Sequence, residues 1–157
     1  MKGKTKHLVQ AAVIAAVYAA LTIVLAPISY GPLQLRVAEA LTVLPCLTPA
    51  AVPGLFAGCL MANLISPYGL PDILCGSGAT LLAALGTRAL RGRPWLAPLP
   101  PVAANGLIVG AMLYYVYGLP MPLWSCMAWV ALGELLVCYG LGLPLLLQLK
   151  KRQSIPW

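Results

Sequence analysis

The chain has 157 residues, of which 61% are hydrophobic and only 8% are charged, and its formal net charge is +7. Soluble domains carry about a quarter charged residues, so this composition excludes an ordinary soluble protein and indicates an integral membrane protein. Nine of the ten Lys and Arg residues lie in three short clusters beside apolar runs. That distribution is typical of membrane topology signals, so we expect the lipid bilayer and no nucleic acid as a partner.

Apolar runs separated by proline- and glycine-rich turns predict an all-α integral membrane protein with six transmembrane helices. The predicted helices cover about residues 8–26, 33–47, 50–65, 72–87, 98–117 and 123–147. Since one crossing needs about 20 residues, six crossings use the whole chain, and residues 1–157 are predicted to form a single membrane domain. The first run is too long for a signal-peptide core, and Pro27 disfavours cleavage after Ala26, so we expect this helix to be retained.

The basic clusters predict the orientation of the six helices. Six crossings that start inside leave every cluster in the cytoplasm, namely Lys2, Lys4 and Lys6, then Arg88, Arg91 and Arg93, then Lys150, Lys151 and Arg152. Five crossings, with residues 33–65 as one broken helix, would move two clusters outside, against the positive-inside rule. We therefore predict cytoplasmic termini and outward-facing turns at residues 27–32, 66–71 and 118–122.

Polar residues converge on the outer half of this predicted bundle. Arg36 and Glu39 are three residues apart, so on a helix they would share a face and pair. Asn63 and Asp72 also fall within about two helical turns of the outer loops. These residues favour an outward-opening pocket. The alternatives are a purely structural Arg36–Glu39 pair and, for Asp72 after Pro71, a helix N-cap.

Two further polar residues lie deeper. Asn105 and Glu134 are each about 15 to 20 Å below the predicted outer loops, and a carboxylate in mid-membrane is costly without a function. If Arg36 pairs with Glu39, the freer acceptors for a ligand are Asp72 and Glu134. Four aromatic residues gather at the outer interface, where they form either an aromatic belt or a stacking surface, namely Tyr30, Tyr68, Tyr117 and Trp124.

The first helix carries two rows of small side chains and is expected to contribute no polar residue to a site. The rows are Ala11, Ala15 and Ala19, and Ala12, Ala16 and Ala20. Small residues at this spacing let another helix approach closely, either within the protein or from a partner. The five cysteines lack metal-ligand spacing, so we interpret them as packing residues. The sequence predicts no catalytic residue, no metal site and no cofactor.

Three stretches together resemble the QueT family of queuosine-precursor transporters. They are Leu-x-x-Arg-x-x-Glu-Ala-Leu-x-x-Leu-Pro within residues 31–45, Gly-Leu-Phe-Ala-Gly-Cys at 54–59, and Asp-x-x-x-Gly-Ser at the start of 72–84. The resemblance implies an S-component-like bundle, the substrate-binding subunit of an energy-coupling factor (ECF) transporter. It further implies a transmembrane T component, two ATP-hydrolysing subunits as separate chains, and an alanine row that docks the T component.

We therefore predict a binding subunit for a 7-deazaguanine such as queuine or 7-aminomethyl-7-deazaguanine. The predicted substrate-binding residues are Arg36, Glu39, Asn63, Asp72, Asn105 and Glu134. One alternative is an S component for another vitamin-like metabolite. Another is a self-contained transporter, although we find no internal repeat of the kind common in such proteins. A membrane-embedded enzyme is disfavoured, because no His, Ser or metal constellation accompanies Glu134.

Overall fold

The computed structural model describes residues 2–30 and 35–153. Throughout these ranges the regular structure is helical, so the predicted all-α class is confirmed. The end of the first predicted outer turn and the start of the second predicted helix fall on residues 31–34, outside the described residues.

In the part of the chain that the structure describes, seven α-helices form the framework. They are α1 (Lys2–Val24), α2 (Ala26–Ser29), α3 (Ala51–Asn63), α4 (Ser77–Ala89), α5 (Leu99–Tyr115), α6 (Leu123–Val137) and α7 (Leu143–Gln153). A 3₁₀ helix, Val37–Cys46, stands where the second predicted helix was expected, and a shorter one, Pro94–Leu96, precedes α5. One π-helical turn, Asp72–Gly76, leads directly into α4, and another, Cys138–Gly142, joins α6 to α7.

Helix length separates the predicted crossings into two groups. Among the described residues, three segments are long and apolar enough to span a bilayer, namely Gly3–Val24, Pro94–Tyr115 and Leu123–Arg152. The 3₁₀ helix and α3 are apolar but short. At about 2.0 Å per residue for the 3₁₀ helix and 1.5 Å for α3, each covers roughly 20 Å of a hydrocarbon core about 30 Å thick. Six full crossings are therefore not confirmed.

Glycine allows the closest helix contact in the first half of the chain. A β-carbon on Gly54 would lie 2.8 Å from the carbonyl oxygen of Ala11, and one on Gly58 would lie 2.7 Å from that of Ala15. The backbones of α1 and α3 thus approach as small-residue helices do in membranes. Ala15 and Ala19 are buried in this contact.

The two alanine rows of α1 consequently have different surroundings. The row of Ala11, Ala15 and Ala19 faces α3, so its smallness is explained by packing within the chain. The row of Ala12, Ala16 and Ala20 is exposed on the outside of the helix. Of the two rows that the sequence offered as partner-docking surfaces, only the second remains free of this internal packing.

Hydrogen bonds gather the basic segments at one end of the bundle. Arg88 Nη1 donates to the carbonyl oxygen of Pro45 at 2.9 Å, and Lys150 Nζ donates to that of Arg91 at 3.4 Å. The start of α1 reaches the same end, where Thr48 donates to Gln10 at 3.2 Å. The turns that contain Tyr68 and Tyr117 lie at the opposite end of the adjoining helices.

Candidate functional site

A buried ion pair joins two segments near the end of the bundle opposite the basic segments. Arg36 precedes the 3₁₀ helix with an extended backbone, and its Nη2 lies 3.3 Å from Asp72 Oδ2 and 3.5 Å from Oδ1. The side chains are 5% and 0% exposed. The predicted Arg36–Glu39 pair is wrong, because Arg36 lies before the helix begins and the shared-face rule does not apply to it.

Asp72 accepts hydrogen bonds from side chains of other segments, and it does not act as the N-cap of its own helix. Ser66 Oγ donates to its Oδ2 at 2.6 Å, in addition to the contact with Arg36. Pro71 occupies the N-cap position and no side chain caps this end, so the N-cap alternative is also wrong. Asn63 fixes the same turn from α3, since its Nδ2 donates to the carbonyl oxygen of Asp72 at 2.9 Å.

Gly76 makes this arrangement possible. A β-carbon there would lie 2.7 Å from Asn63 Nδ2 and 3.6 Å from Arg36 Nη1. Any other residue would push the Asn63 amide away from the turn, whereas Arg36 Nη1 is at ordinary contact distance. The π-helical geometry of Asp72–Gly76 is of the kind often found at functional sites.

The two remaining acids lie together deeper in the bundle. Asn105 Nδ2 donates to Glu134 Oε1 at 2.9 Å, and it also lies next to the Glu39 carboxylate. Cys138, in the second π-helical turn, places its Sγ 3.5 Å from Glu134 Oε2. Glu39 and Glu134 are nearly fully buried, so Asn105 stands between two carboxylates in a medium of low dielectric constant.

Glu39 has a hydrogen-bond partner that was not predicted. The hydroxyl of Tyr18 on α1 donates to Glu39 Oε1, and the Tyr18 side chain is 0% exposed. The expectation that the first helix contributes no polar site residue is therefore wrong. The only sequence signal was one phenol hydroxyl within a run of aliphatic residues.

Other contributors were also missed. Cys59 Sγ lies 3.2 Å from Thr80 Oγ1, 3.4 Å from Asn63 Nδ2 and 3.8 Å from Arg36 Nη1. Cys59 and Cys138 thus contact candidate site residues, although their positions in the sequence indicate only packing. All five cysteines are free thiols.

Three tyrosines cover the polar cluster. The guanidinium of Arg36 lies 5.5 Å from the centre of the Tyr30 ring, and Tyr68 donates to the carbonyl oxygen of Tyr30 at 2.9 Å. The rings of Tyr68 and Tyr117 are 4.7 Å apart. Trp124 is 71% exposed, as expected of an aromatic belt residue. Because the cluster is buried beneath this cover, the described residues form a closed site and not the open pocket that was expected.

Several buried polar atoms of the cluster have no hydrogen-bond partner among the described residues. They include Arg36 Nε, Glu39 Oε2 and Asn63 Oδ1. Unpaired buried groups are rare in folded proteins because each forfeits its interaction with water. Here one donor and two acceptors belong to residues that already converge.

Comparison with known proteins identifies the family. A model of the QueT transporter family matches residues 8–151. The chain is also similar to the queuosine precursor transporter QueT of Lactococcus lactis subsp. cremoris (strain MG1363), with 35% identity over 83 residues, or 52% of this chain and 48% of the relative. The matched part therefore spans about half the length of that relative. No solved structure matches the chain. The family resemblance expected from the sequence is thus confirmed, and this multi-pass membrane protein belongs to the QueT transporter family.

Proposed function

We propose that this protein is the substrate-binding subunit of an ECF-type importer and that its substrate is a queuosine precursor of the 7-deazaguanine class. Membership of a transporter family and the name of the Lactococcus relative support the class of substrate. The observation that carries the proposal is the buried cluster of three carboxylates and one guanidinium, in which acceptor atoms of Glu39 and Asn63 remain unpaired.

The chemistry of the ligand fits a cluster that has more carboxylates than cations. A guanine-like edge presents adjacent N–H donors that one carboxylate can accept, and an aminomethyl substituent adds a cation that a second carboxylate can neutralise. Asp72 already accepts from Arg36 and Ser66. Glu39 keeps Oε2 unpaired, and Glu134 accepts only from the neutral groups of Asn105 and Cys138, so neither acid is neutralised as Asp72 is by Arg36. We therefore assign the ligand to Glu39 and Glu134, instead of to Asp72 and Glu134 as the sequence suggested.

The other cluster residues take supporting roles in this proposal. Asn105 lies between the two ligand-binding acids, and Asn63 offers its unpaired Oδ1 as a further acceptor. Arg36 supplies an N–H group at Nε for a carbonyl oxygen of the base, while Asp72 holds its guanidinium. The tyrosine cover provides flat rings against which a planar heterocycle can stack.

Binding to the purified chain tests the proposal. We expect queuine and 7-aminomethyl-7-deazaguanine to bind and unrelated vitamins not to bind. Glu39→Gln and Glu134→Gln should each weaken binding by about 2 kcal/mol, because a ligand donor would lose its charged acceptor. If a vitamin binds and no deazapurine does, the substrate is wrong; if both acid variants bind the deazapurine normally, the site is wrong.

The partners follow from the same proposal. The ATP-driven subunits are separate chains, a T component and two ATP-hydrolysing subunits, and the exposed row of Ala12, Ala16 and Ala20 offers α1 for docking. Uptake of a deazapurine by cells that lack those subunits would instead support a self-contained transporter.

We also propose that the chain crosses the membrane six times with both termini in the cytoplasm. The shared end of the basic segments supports this orientation. In intact cells, a membrane-impermeant thiol reagent should label a cysteine introduced at Tyr68 or Gly118 but not one introduced at Arg91. Labelling at Arg91 from outside would contradict the topology.

A further inference from the structure

We propose that Tyr18 is a positioning residue of the binding site, and that it holds one oxygen of Glu39 so that the other oxygen faces the ligand. The proposal rests on the assignment of Glu39 as a ligand acceptor. It makes α1, otherwise a helix of small and aliphatic side chains, part of the substrate site.

The two oxygens of Glu39 differ in their surroundings. Oε1 accepts the hydrogen bond from the Tyr18 hydroxyl. Oε2 has no hydrogen-bond partner among the described residues, although the side chains of Asn105 and Thr80 lie near the carboxylate. Rotation about the terminal torsion of a glutamate is broad and roughly two-fold. A hydrogen bond to one oxygen therefore fixes the plane of the carboxylate and the direction in which the other oxygen can accept.

The ring of Tyr18 is itself held firmly. A β-carbon on Gly58 would lie 2.9 Å from Tyr18 Cβ, so α3 packs directly against the base of this side chain. The ring belongs to a buried cluster that includes Leu55 and Cys59, and Thr22 Oγ1 donates to the carbonyl oxygen of Tyr18 at 2.9 Å. A rigid donor of this kind orients an acceptor before the ligand arrives, which is how preorganised sites gain affinity.

The alternative is that Tyr18 merely satisfies a buried acid and stabilises the fold. The two roles differ in how the effect of Tyr18 depends on Glu39. A positioning residue affects binding only while Glu39 is there to be positioned. A structural residue affects binding through the fold, whether or not position 39 carries the acid.

The test is a double-mutant cycle on the purified chain, with 7-aminomethyl-7-deazaguanine as the probe. Tyr18→Phe should weaken probe binding about tenfold or more, because the acceptor loses its orientation. In the Glu39→Gln background the same substitution should have no further effect, which is the coupling expected of residues that act as a pair. Thr87→Val is the matched control, since it removes an equally buried hydroxyl on α4, which donates to the carbonyl oxygen of Ala97 and not to an acid.

Each outcome bears on the proposal. Equal losses from Tyr18→Phe in both backgrounds, or an equal loss from Thr87→Val, would overturn it. If Tyr18→Phe alone does not fold, probe binding by Glu39→Gln is compared with binding by the double variant, in which position 39 no longer carries a carboxylate that needs the hydroxyl. Weaker binding by the double variant than by Glu39→Gln would overturn the proposal. Failure of the unmodified chain to bind any deazapurine would reject the proposed function itself, whereas normal binding by Tyr18→Phe would reject only this inference.

Discussion

Asp72 is the counter-ion of Arg36 in the buried cluster. It is fully buried and pairs with a guanidinium that is itself 5% exposed. Asp72→Asn would leave that cation buried without a counter-ion, which typically costs about 3 kcal/mol or more. We expect the purified variant to have a clearly lower thermal unfolding temperature in detergent, even without ligand.

The control for this prediction removes both charges. Arg36→Gln combined with Asp72→Asn leaves no unpaired ion, so its stability should lie closer to that of the unmodified chain than to that of the single variant. A single variant as stable as the unmodified chain would contradict a structural role for the pair.

The sequence could identify the polar residues of the site but not how they pair. A charged side chain is conspicuous in an apolar chain, so the sequence alone indicates the four charged residues of the cluster, namely Arg36, Glu39, Asp72 and Glu134. Pairing depends on where a helix begins, and Arg36 lies just outside its helix. Tyr18 was missed because an aromatic residue inside an apolar helix is ordinary, and only the fold brings its hydroxyl to Glu39.

At the scale of elements, a substitution at Gly58 tests whether stability and binding require the close packing of α1 against α3. Gly58→Ala would place a methyl group 2.7 Å from the carbonyl oxygen of Ala15, and overpacking of this kind costs about 1 to 3 kcal/mol. We expect a lower unfolding temperature and, since Tyr18 packs against the same position, weaker deazapurine binding.

Gly78 on α4 is the matched control for this prediction. It is also a helical glycine, but a β-carbon there would meet nothing within 4 Å. Gly78→Ala should therefore leave binding unchanged and keep or slightly raise stability, since alanine favours helix by about 1 kcal/mol. Equal losses at the two positions would indicate that α1 and α3 do not depend on close approach.

Helix positions followed from hydrophobic runs and proline breaks, but helix type did not. The run that ends near Pro45 was predicted as an α-helix and is a 3₁₀ helix, and the turns that begin at Asp72 and Cys138 are π-helical. Such departures are set by contacts between segments. One example is Gly142, where a β-carbon would lie 3.1 Å from the carbonyl oxygen of Ala40. Periodicity within one segment cannot reveal them.

At the scale of the whole molecule, α1 has two faces with different tasks. Its inner face meets α3 and carries Tyr18 into the polar cluster. Its outer face exposes Ala12, Ala16 and Ala20 together with Val13 and Val17. The two alanine rows look equivalent in the sequence, because the pattern of one helix does not show whether a row packs against a helix of the same chain or of a partner. Only the packing of α3 distinguishes them.

The last prediction separates these faces by experiment. Ala16→Trp places a bulky side chain on the exposed row, so it should reduce co-purification with the proposed T component and ATP-hydrolysing subunits while deazapurine binding by the isolated chain is kept. Ala15→Trp, one residue away but buried against α3, should instead destabilise the chain and weaken binding. Leu107→Trp, at an exposed position on α5, controls for the added bulk. Normal assembly by Ala16→Trp would exclude this row as the docking surface, because the row lets a partner helix approach only while its side chains stay small.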